Sequence, residues 1–222
     1  MNNRHEGFCL EVWGDYACFT RPEFKVERVS YDVITPSAAR AIFESIFWKP
    51  AIRWIITRID VINPIKWVNI RRNEVGALAG KNPIMIEEKR QQKNSVILKD
   101  VRYRIWAEME FVPSHEIERD SYEGRDDETP GKYLAMFERR AGKGQCFNQP
   151  YLGCREFSAS FRLIDNPGDS VAPITETKDM QYMLYDMDFK NCIDKPKPMF
   201  FRANMINGTI RIPSPDSNEI LR

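Results

Sequence analysis

Residues 101–111, VRYRIWAEMEF, alternate without a break. Val101, Tyr103, Ile105, Ala107, Met109 and Phe111 fall on one side; Arg102, Arg104, Trp106, Glu108 and Glu110 fall on the other. Side chains of a strand point to opposite faces in turn, so this pattern reads as a half-buried β-strand. A strand that is apolar on one side must bury that side against another layer. Two Thr-Pro pairs supply the means. Thr35-Pro36 and Thr129-Pro130 each offer an N-cap hydroxyl followed by proline at the first helical position. The first predicted helix buries Ala39, Ile42, Phe43, Ile46 and Phe47, spaced by three or four. It ends at Trp48-Lys49-Pro50, because the residue before proline avoids helical geometry. The second runs through Ala141.

Strands are expected around these helices. Residues 8–19 alternate Phe8, Leu10 and Val12 with Cys9, Glu11 and Trp13, and residues 53–61 are β-branched and apolar. Residues 65–75 read as one arm of a projecting hairpin, residues 76–95 as a loop without periodicity, and residues 145–164 as a strand region broken by Pro150 and Gly153. Residues 181–189 and an Asn207-Gly208 hairpin complete a β-rich tail. The order gives an α+β chain with a βαββαβ core of the ferredoxin-like or RRM type. That fold hosts many functions and names none.

Thirty-three basic residues against 32 acidic ones leave a net charge of +1, so global charge identifies no partner. Its distribution says more. Residues 1–110 and 131–162 carry a basic excess, separated by an acidic loop with Glu116, Glu118, Asp120, Glu123, Asp126, Asp127 and Glu128. The five cysteines, Cys9, Cys18, Cys146, Cys154 and Cys192, form no C-x-x-C pair. A structural zinc site is not expected; reduced thiols in a cytoplasmic protein are. The first residues, MNNRHEG, lack the apolar run of a signal peptide, and no stretch has membrane-spanning length.

Residues 131–157, GKYLAMFERRAGKGQCFNQPYLGCREF, carry the clearest chemistry. A basic helix end (Arg139, Arg140) enters a turn bracketed by Gly142 and Gly144 around Lys143. Glycines allow close backbone approach, and guanidinium groups grip phosphate oxygens in pairs. The pattern suits an anionic polymer; solvated arginines at a helix end are the plain alternative.

The segments ERVSYDVITPSAARAIFESIFWKP, NPIKW…IRRNEV, LKDVRYRIWAEMEF and FERRAGKGQCFNQPYLGCREF resemble the Cas-five family of CRISPR-associated proteins, subtype I-C, the d variant (also called c). The resemblance spans roughly residues 7–212. It implies an RRM-like N-terminal domain, placed at residues 1–165, and a small β-rich C-terminal domain at residues 166–222. It implies a metal-independent endoribonuclease that cuts the repeat hairpin of CRISPR precursor RNA and needs no cofactor. It further implies that the chain stays on the 5′ handle of the crRNA, within a surveillance complex with backbone and large subunits that engages target DNA. The family pattern has a Tyr after the first helix and a Lys-His pair opening the second. Here Phe47 stands for that Tyr, Lys132 keeps the Lys, and Tyr133 stands for the His.

Such cleavage uses the 2′-hydroxyl as nucleophile and needs in-line geometry, proton transfer and charge stabilisation. Lys132 is the expected charge stabiliser. Tyr133 is the first expected proton-transfer group and Tyr31 the second, with His115 and His5 ranked below them. An ordinary tyrosine has a pKa of about 10, which a neighbouring ammonium lowers; packing against Phe137 is the bland role for Tyr133. For RNA binding the expected set is Arg21, Lys25, Arg28, Arg71, Arg72, Arg139, Arg140 and Lys143. Phe147 or Trp67 would stack on bases, and Gln145 and Asn148 would read base edges. Three readings stay open at this point: a processing nuclease, a handle-binding subunit without cleavage, and an assembly module without an RNA role.

Overall fold

A computed structural model describes residues 4–24, 26–112, 128–165, 171–188 and 195–222, with residues 4–6 as backbone only. The acidic loop up to Asp127, and with it His115, lies outside the described residues, as do Lys25, Cys192 and the side chain of His5.

Both Thr-Pro pairs open helices. In α1 (Pro36–Ile46) the Thr35 hydroxyl accepts from the Ala38 N–H, and in α3 (Pro130–Gly142) the Thr129 hydroxyl accepts from the Lys132 N–H. Ala39, Ile42, Phe43 and Ile46 form the buried stripe of α1, as their spacing predicts, and Phe47 at its end is fully buried too. The stripe of α3 is Tyr133, Phe137 and Ala141, four residues apart. Phe137 is the hub. Its ring stacks on Phe43 of α1 at 5.5 Å and meets Trp54 at 4.5 Å and Phe8 at 4.7 Å, so both helices close on the sheet around one aromatic cluster.

The sheet they cover is antiparallel in its named strands. Strands β1 (Arg4–Ala17), β2 (Ile52–Val61), β4 (Arg90–Phe111) and β5 (Ser160–Leu163) stand in the order β5-β1-β4-β2. Beyond β2 the order continues through β8 (Thr209–Arg211), β7 (Lys197–Ile206) and β6 (Lys178–Asp188), with β9 (Ile220–Leu221) paired to β7. The Asn207-Gly208 turn joins β7 to β8 with both residues at positive φ, the geometry this dipeptide favours. Arg40 of α1 grips Asp186 of β6 with two bonds of 2.9 Å and pairs with Glu44, tying the last strands to the first helix.

The alternation of residues 101–111 is realised: Tyr103, Ile105, Ala107 and Met109 are buried under the helices, while Arg102, Trp106, Glu108 and Glu110 lie on the other face. Two expectations are corrected. Residues 76–95 are not loop throughout: the short helix α2 (Ile86–Lys89) lies there, and residues 90–95 begin β4. This first part of β4 pairs with β3 (Trp67–Val75) from Val75↔Arg90 to Trp67↔Leu98, the projecting hairpin. Most side chains at its outer end are exposed, so no apolar period marks it as strand. Asp100, at φ 54, lies where β4 leaves β3 and continues between β1 and β2. Residues 145–159 are irregular apart from one isolated bridge, Tyr151↔Ser158, and the strand is only Ser160–Leu163. Gly153 (φ 85) explains the break: a Cβ there would lie 2.0 Å from the Cys18 carbonyl oxygen.

Candidate active site

The end of α1 and the length of α3 bring three family positions into one cluster. Phe47, just past α1, lies 5.8 Å from the ring of Tyr133, which also meets Phe111 at 6.2 Å. Two turns along α3, the Arg140 guanidinium sits 5.1 Å from the Phe47 ring centre, and its Nη1 donates to the Ile46 carbonyl at 3.2 Å. Phe47 is thus flanked by a phenol and a cation. Tyr133 is only 3% exposed, whereas Lys132 beside it is exposed on the first turn of α3. An ammonium opposes the positive end of a helix dipole, an arrangement that an anion at this place relieves.

The turn after α3 is built as the glycines suggest. Gly144 has φ 64, and the Gln145 N–H returns to the Arg140 carbonyl at 2.9 Å. The chain then docks on the end of α1, where the Ser45 carbonyl accepts from the N–H groups of Phe147 (2.8 Å) and Asn148 (3.2 Å). Phe147 is left 81% exposed, beside exposed Arg139, Lys143, Gln145 and Asn148. A large apolar ring held in water next to cations is a stacking surface with a positive rim. Lys132, Tyr133, Arg139, Arg140, Lys143, Gln145 and Phe147 therefore share α3 and the turn that follows it.

Tyr31 stands in the segment just before α1. It is 1% exposed, with the Arg21 guanidinium 4.5 Å from its ring centre. Burial raises its pKa above the ordinary phenol value and the Glu23 carboxylate adds to this; a bond with the Leu184 backbone and the Arg21 charge pull the other way. Arg21 itself is engaged, with Asp32 at 3.2 Å and the Ser30 carbonyl at 3.3 Å.

The remaining arginines of the expected set stand on or against the projecting hairpin. Arg71 is exposed and makes no ion pair among the described residues. Arg72 pairs with Glu156 and, at 3.9 Å, with Glu74. Arg28 reaches Glu74 at 3.6 Å, Glu156 at 4.0 Å and the Cys154 sulfur at 3.3 Å. Bonds from the Cys18 thiol and then from Arg28 favour the ionised form of Cys154 and lower its pKa. Two of the expected phosphate contacts are thus already balanced by carboxylates. Sequence reasoning did not foresee Glu74 and Glu156 as their partners; the alternation of charge along Arg72 and Glu74 was the available signal. Trp67, on the same hairpin, is 43% exposed.

Among the described residues no helix is long and apolar enough to cross a membrane. Residues 7–213 match the family described as CRISPR-associated protein (Cas_Cas5), of the Cas5d type. The chain is 44% identical over 231 residues to a protein of Mannheimia succiniciproducens named CRISPR pre-crRNA endoribonuclease Cas5d, covering 96% of this chain and 97% of that one. It is 40% identical over 230 residues to a protein of the same name from Thermus thermophilus, covering 96% and 94%. A crystal structure titled as that of a CRISPR-associated protein superposes over the whole of both chains with a TM-score of 0.72 at 22% identity, a likeness of fold.

Proposed function

Because the chain belongs to the Cas5d family of CRISPR-associated proteins, we propose that it is an endoribonuclease that cleaves CRISPR precursor RNA within the repeat hairpin. The observation that carries this is the identity of 40–44%, over nearly full length, to two proteins named for that activity. The 5′ handle of the product stays bound to the chain, as a subunit of a surveillance complex that acts on target DNA, in the cytoplasm. The sheet order β5-β1-β4-β2, with α1 after β1 and α3 after β4, supports a ferredoxin-like core over residues 1–165. Residues 166–222 then form the β-rich C-terminal part, joined to the core through β8 and β2.

In the proposed mechanism the 2′-hydroxyl upstream of the cut attacks the adjacent phosphorus. The bond to the 5′-oxygen breaks, leaving a 2′,3′-cyclic phosphate on one product and a 5′-hydroxyl on the other. No metal enters the step. The exposed Lys132 stabilises the extra negative charge of the phosphorane, and Tyr133 exchanges the proton. Arg139, Arg140 and Lys143 hold the phosphates on either side, and Phe147 stacks on an unpaired base. The hairpin arginines extend the contact along the RNA, with Arg71 the most available of them.

Tyr133→Phe is expected to slow single-turnover cleavage about 10²-fold, while the ring contacts to Phe47 and Phe111 keep the chain folded, as circular dichroism would verify. An unchanged rate would make Tyr133 a packing residue. Arg139→Ala is expected to weaken hairpin binding and to reduce the slope of log affinity against log salt by about 1. An unaltered slope would remove Arg139 from the interface.

A second reading is a handle-binding subunit without cleavage. Its support is specific: Phe47 lacks the family's hydroxyl, and Tyr133 is nearly buried. The deciding experiment incubates the purified chain with an end-labelled repeat hairpin in EDTA and analyses the ends. One cut with a 2′,3′-cyclic phosphate is the expected result. Tight binding without a cut would establish the second reading, and cleavage abolished by EDTA would overturn the metal-free mechanism.

A further inference from the structure

The proposed mechanism leaves the cysteines unused, and two of them meet. Cys18, directly after β1, and Cys154, just past Gly153, share a small buried cluster with Ile97. Both are free thiols. The backbone brings them together. The Cys18 N–H donates to the Leu152 carbonyl at 3.0 Å, and Gly153 passes so close to the Cys18 carbonyl that a Cβ would not fit. The Cys154 sulfur lies 3.6 Å from that same carbonyl oxygen, and the two side chains are bonded to one another. Among the described residues no third His, Cys, Asp or Glu joins them, so the pair lacks the ligand count of a metal site.

Their surroundings are unequal. Arg28 Nη1 stands 3.3 Å from the Cys154 sulfur, whereas the Cys18 sulfur faces the Thr20 hydroxyl at 3.6 Å. A cation beside a sulfur favours the thiolate, which is the nucleophilic form. The bond from the Cys18 thiol lowers the Cys154 pKa most and Arg28 adds to it; burial and the Glu156 carboxylate oppose them. The Cys18 pKa moves upward, because its proton serves Cys154 and because it is buried. Burial also pushes Cys9 up, to about 12. Cys154 is the more open of the pair, at 8% against 1%, and the Arg28 side chain beside it is 34% exposed. A small oxidant therefore approaches from the Arg28 side, where the thiolate is, and meets the protonated Cys18 only afterwards.

We propose that Cys154 is a peroxide-reactive thiol and Cys18 its resolving partner, so that the chain carries a built-in reversible disulfide between the end of β1 and the segment after Gly153. The oxidant is hydrogen peroxide, which is little larger than water. The Cys154 thiolate, its proton already given to solvent, attacks one peroxide oxygen. An S–O bond forms, the O–O bond breaks, and the departing hydroxide takes up that proton to become water. The product is Cys154 sulfenic acid. The Cys18 sulfur then attacks the Cys154 sulfur. The S–S bond forms, the S–O bond breaks, and the hydroxide leaves with the Cys18 proton as a second water. Two thiols have lost two electrons, and one peroxide has gained them. In a reducing compartment such a bond is transient, which suits a sensor rather than a structural staple. The proposal does not depend on the nuclease reading, and a chain that forms the bond but cuts no RNA keeps it.

The full folded chain is treated with hydrogen peroxide, its remaining thiols are alkylated, and its peptides are mapped by mass spectrometry without reduction. A Cys18–Cys154 bond is expected, lost again on treatment with dithiothreitol. Cys9→Ser and Cys146→Ser should keep it. In Cys18→Ser the reaction should stop at the sulfenic acid, trapped on Cys154 by dimedone. Arg28→Ala should slow the reaction about tenfold, and Arg28→Lys should restore most of the rate; circular dichroism verifies the fold of each variant. The wild-type chain supplies its own control, since Cys146 is more exposed than Cys154. Oxidation of Cys146 before Cys154 would show that reactivity follows exposure alone and would overturn the proposal. So would thiols at 18 and 154 that survive once Cys146 is oxidised, a bond seen only in urea, or an unchanged rate in Arg28→Ala. The bond spans a sequence separation of 136 residues, so the oxidised chain is expected to melt about 5–15 °C higher. A lower melting temperature would mean that the native backbone does not accept the bond, and the pair would not be built into the fold.

Discussion

Lys132→Ala is expected to lower the single-turnover cleavage rate by about 10²–10³-fold while hairpin affinity changes little. The reasoning starts from the helix. Lys132 serves the cap of α3 through its backbone N–H, which donates to the Thr129 hydroxyl at 3.3 Å, and alanine keeps that bond. Alanine is also the best helix former. Removing a cation from the first turn slightly favours the helix dipole, so the melting temperature should hold or rise a little. A rate loss in a chain that melts and binds normally can then be assigned to the chemical step. In that step the phosphorane carries more negative charge than the bound phosphodiester, so an ammonium beside it lowers the barrier rather than the binding energy. Equal losses in rate and affinity, read by anisotropy on the same labelled hairpin, would make Lys132 a phosphate contact and nothing more.

Phe137→Ala is expected to cost about 3–5 kcal/mol, a fall in melting temperature of about 6–20 °C for a chain of this size. The ring is fully buried among Phe8, Phe43 and Trp54, so its removal leaves a cavity where both helices meet the sheet. Because α3 carries Lys132, Tyr133 and Arg140, cleavage should fail at temperatures where the wild-type chain still works. A thermal melt followed by circular dichroism measures the first effect and a temperature series of cleavage the second. A fall of under about 1 kcal/mol would mean that α3 is held mainly by the contacts of Arg140 and of the following turn with the end of α1.

Much of the fold was legible because its signals are local. The alternation along β4, the two Thr-Pro caps, the Asn207-Gly208 turn and the apolar stripe of α1 each follow from a few neighbouring residues. The outer end of β4 was not legible, since strand pairing there has no buried face to leave an apolar period. Residues 145–159 misled for a different reason: their aromatic and cysteine content reads as strand, but Gly153 is committed to the Cys18 carbonyl, a contact no local pattern announces. The site divides the same way. The sequence named Lys132, Tyr133 and the Arg139–Phe147 turn, which are contiguous. It did not show that Phe47 would lie against Tyr133 and Arg140, nor that Glu74 and Glu156 would balance Arg28 and Arg72, because those partners meet only after the sheet has formed. Tyr31 was grouped with Tyr133 because its segment precedes α1 and could face the same groove; its burial, at 1% exposed, is a tertiary outcome that no local pattern announces.

The place of β4 between β1 and β2 sets a timetable for the chain as it is made. Strand β1 leaves the ribosome first, yet its long partner β4 follows only after α1, the whole of β2 and the hairpin arm. At roughly 5–20 residues per second, on the order of 5–20 s pass before the edge of β1 at Leu10 and Val12 can be paired with β4. Through that interval a strand bearing Phe8, Leu10, Val12 and Trp13 has both edges open, an invitation to pair with another nascent chain. Its opposite edge waits longer still, for β5. Yield in a host cell should therefore depend less on the stability of the finished protein than on how well chaperones shield β1.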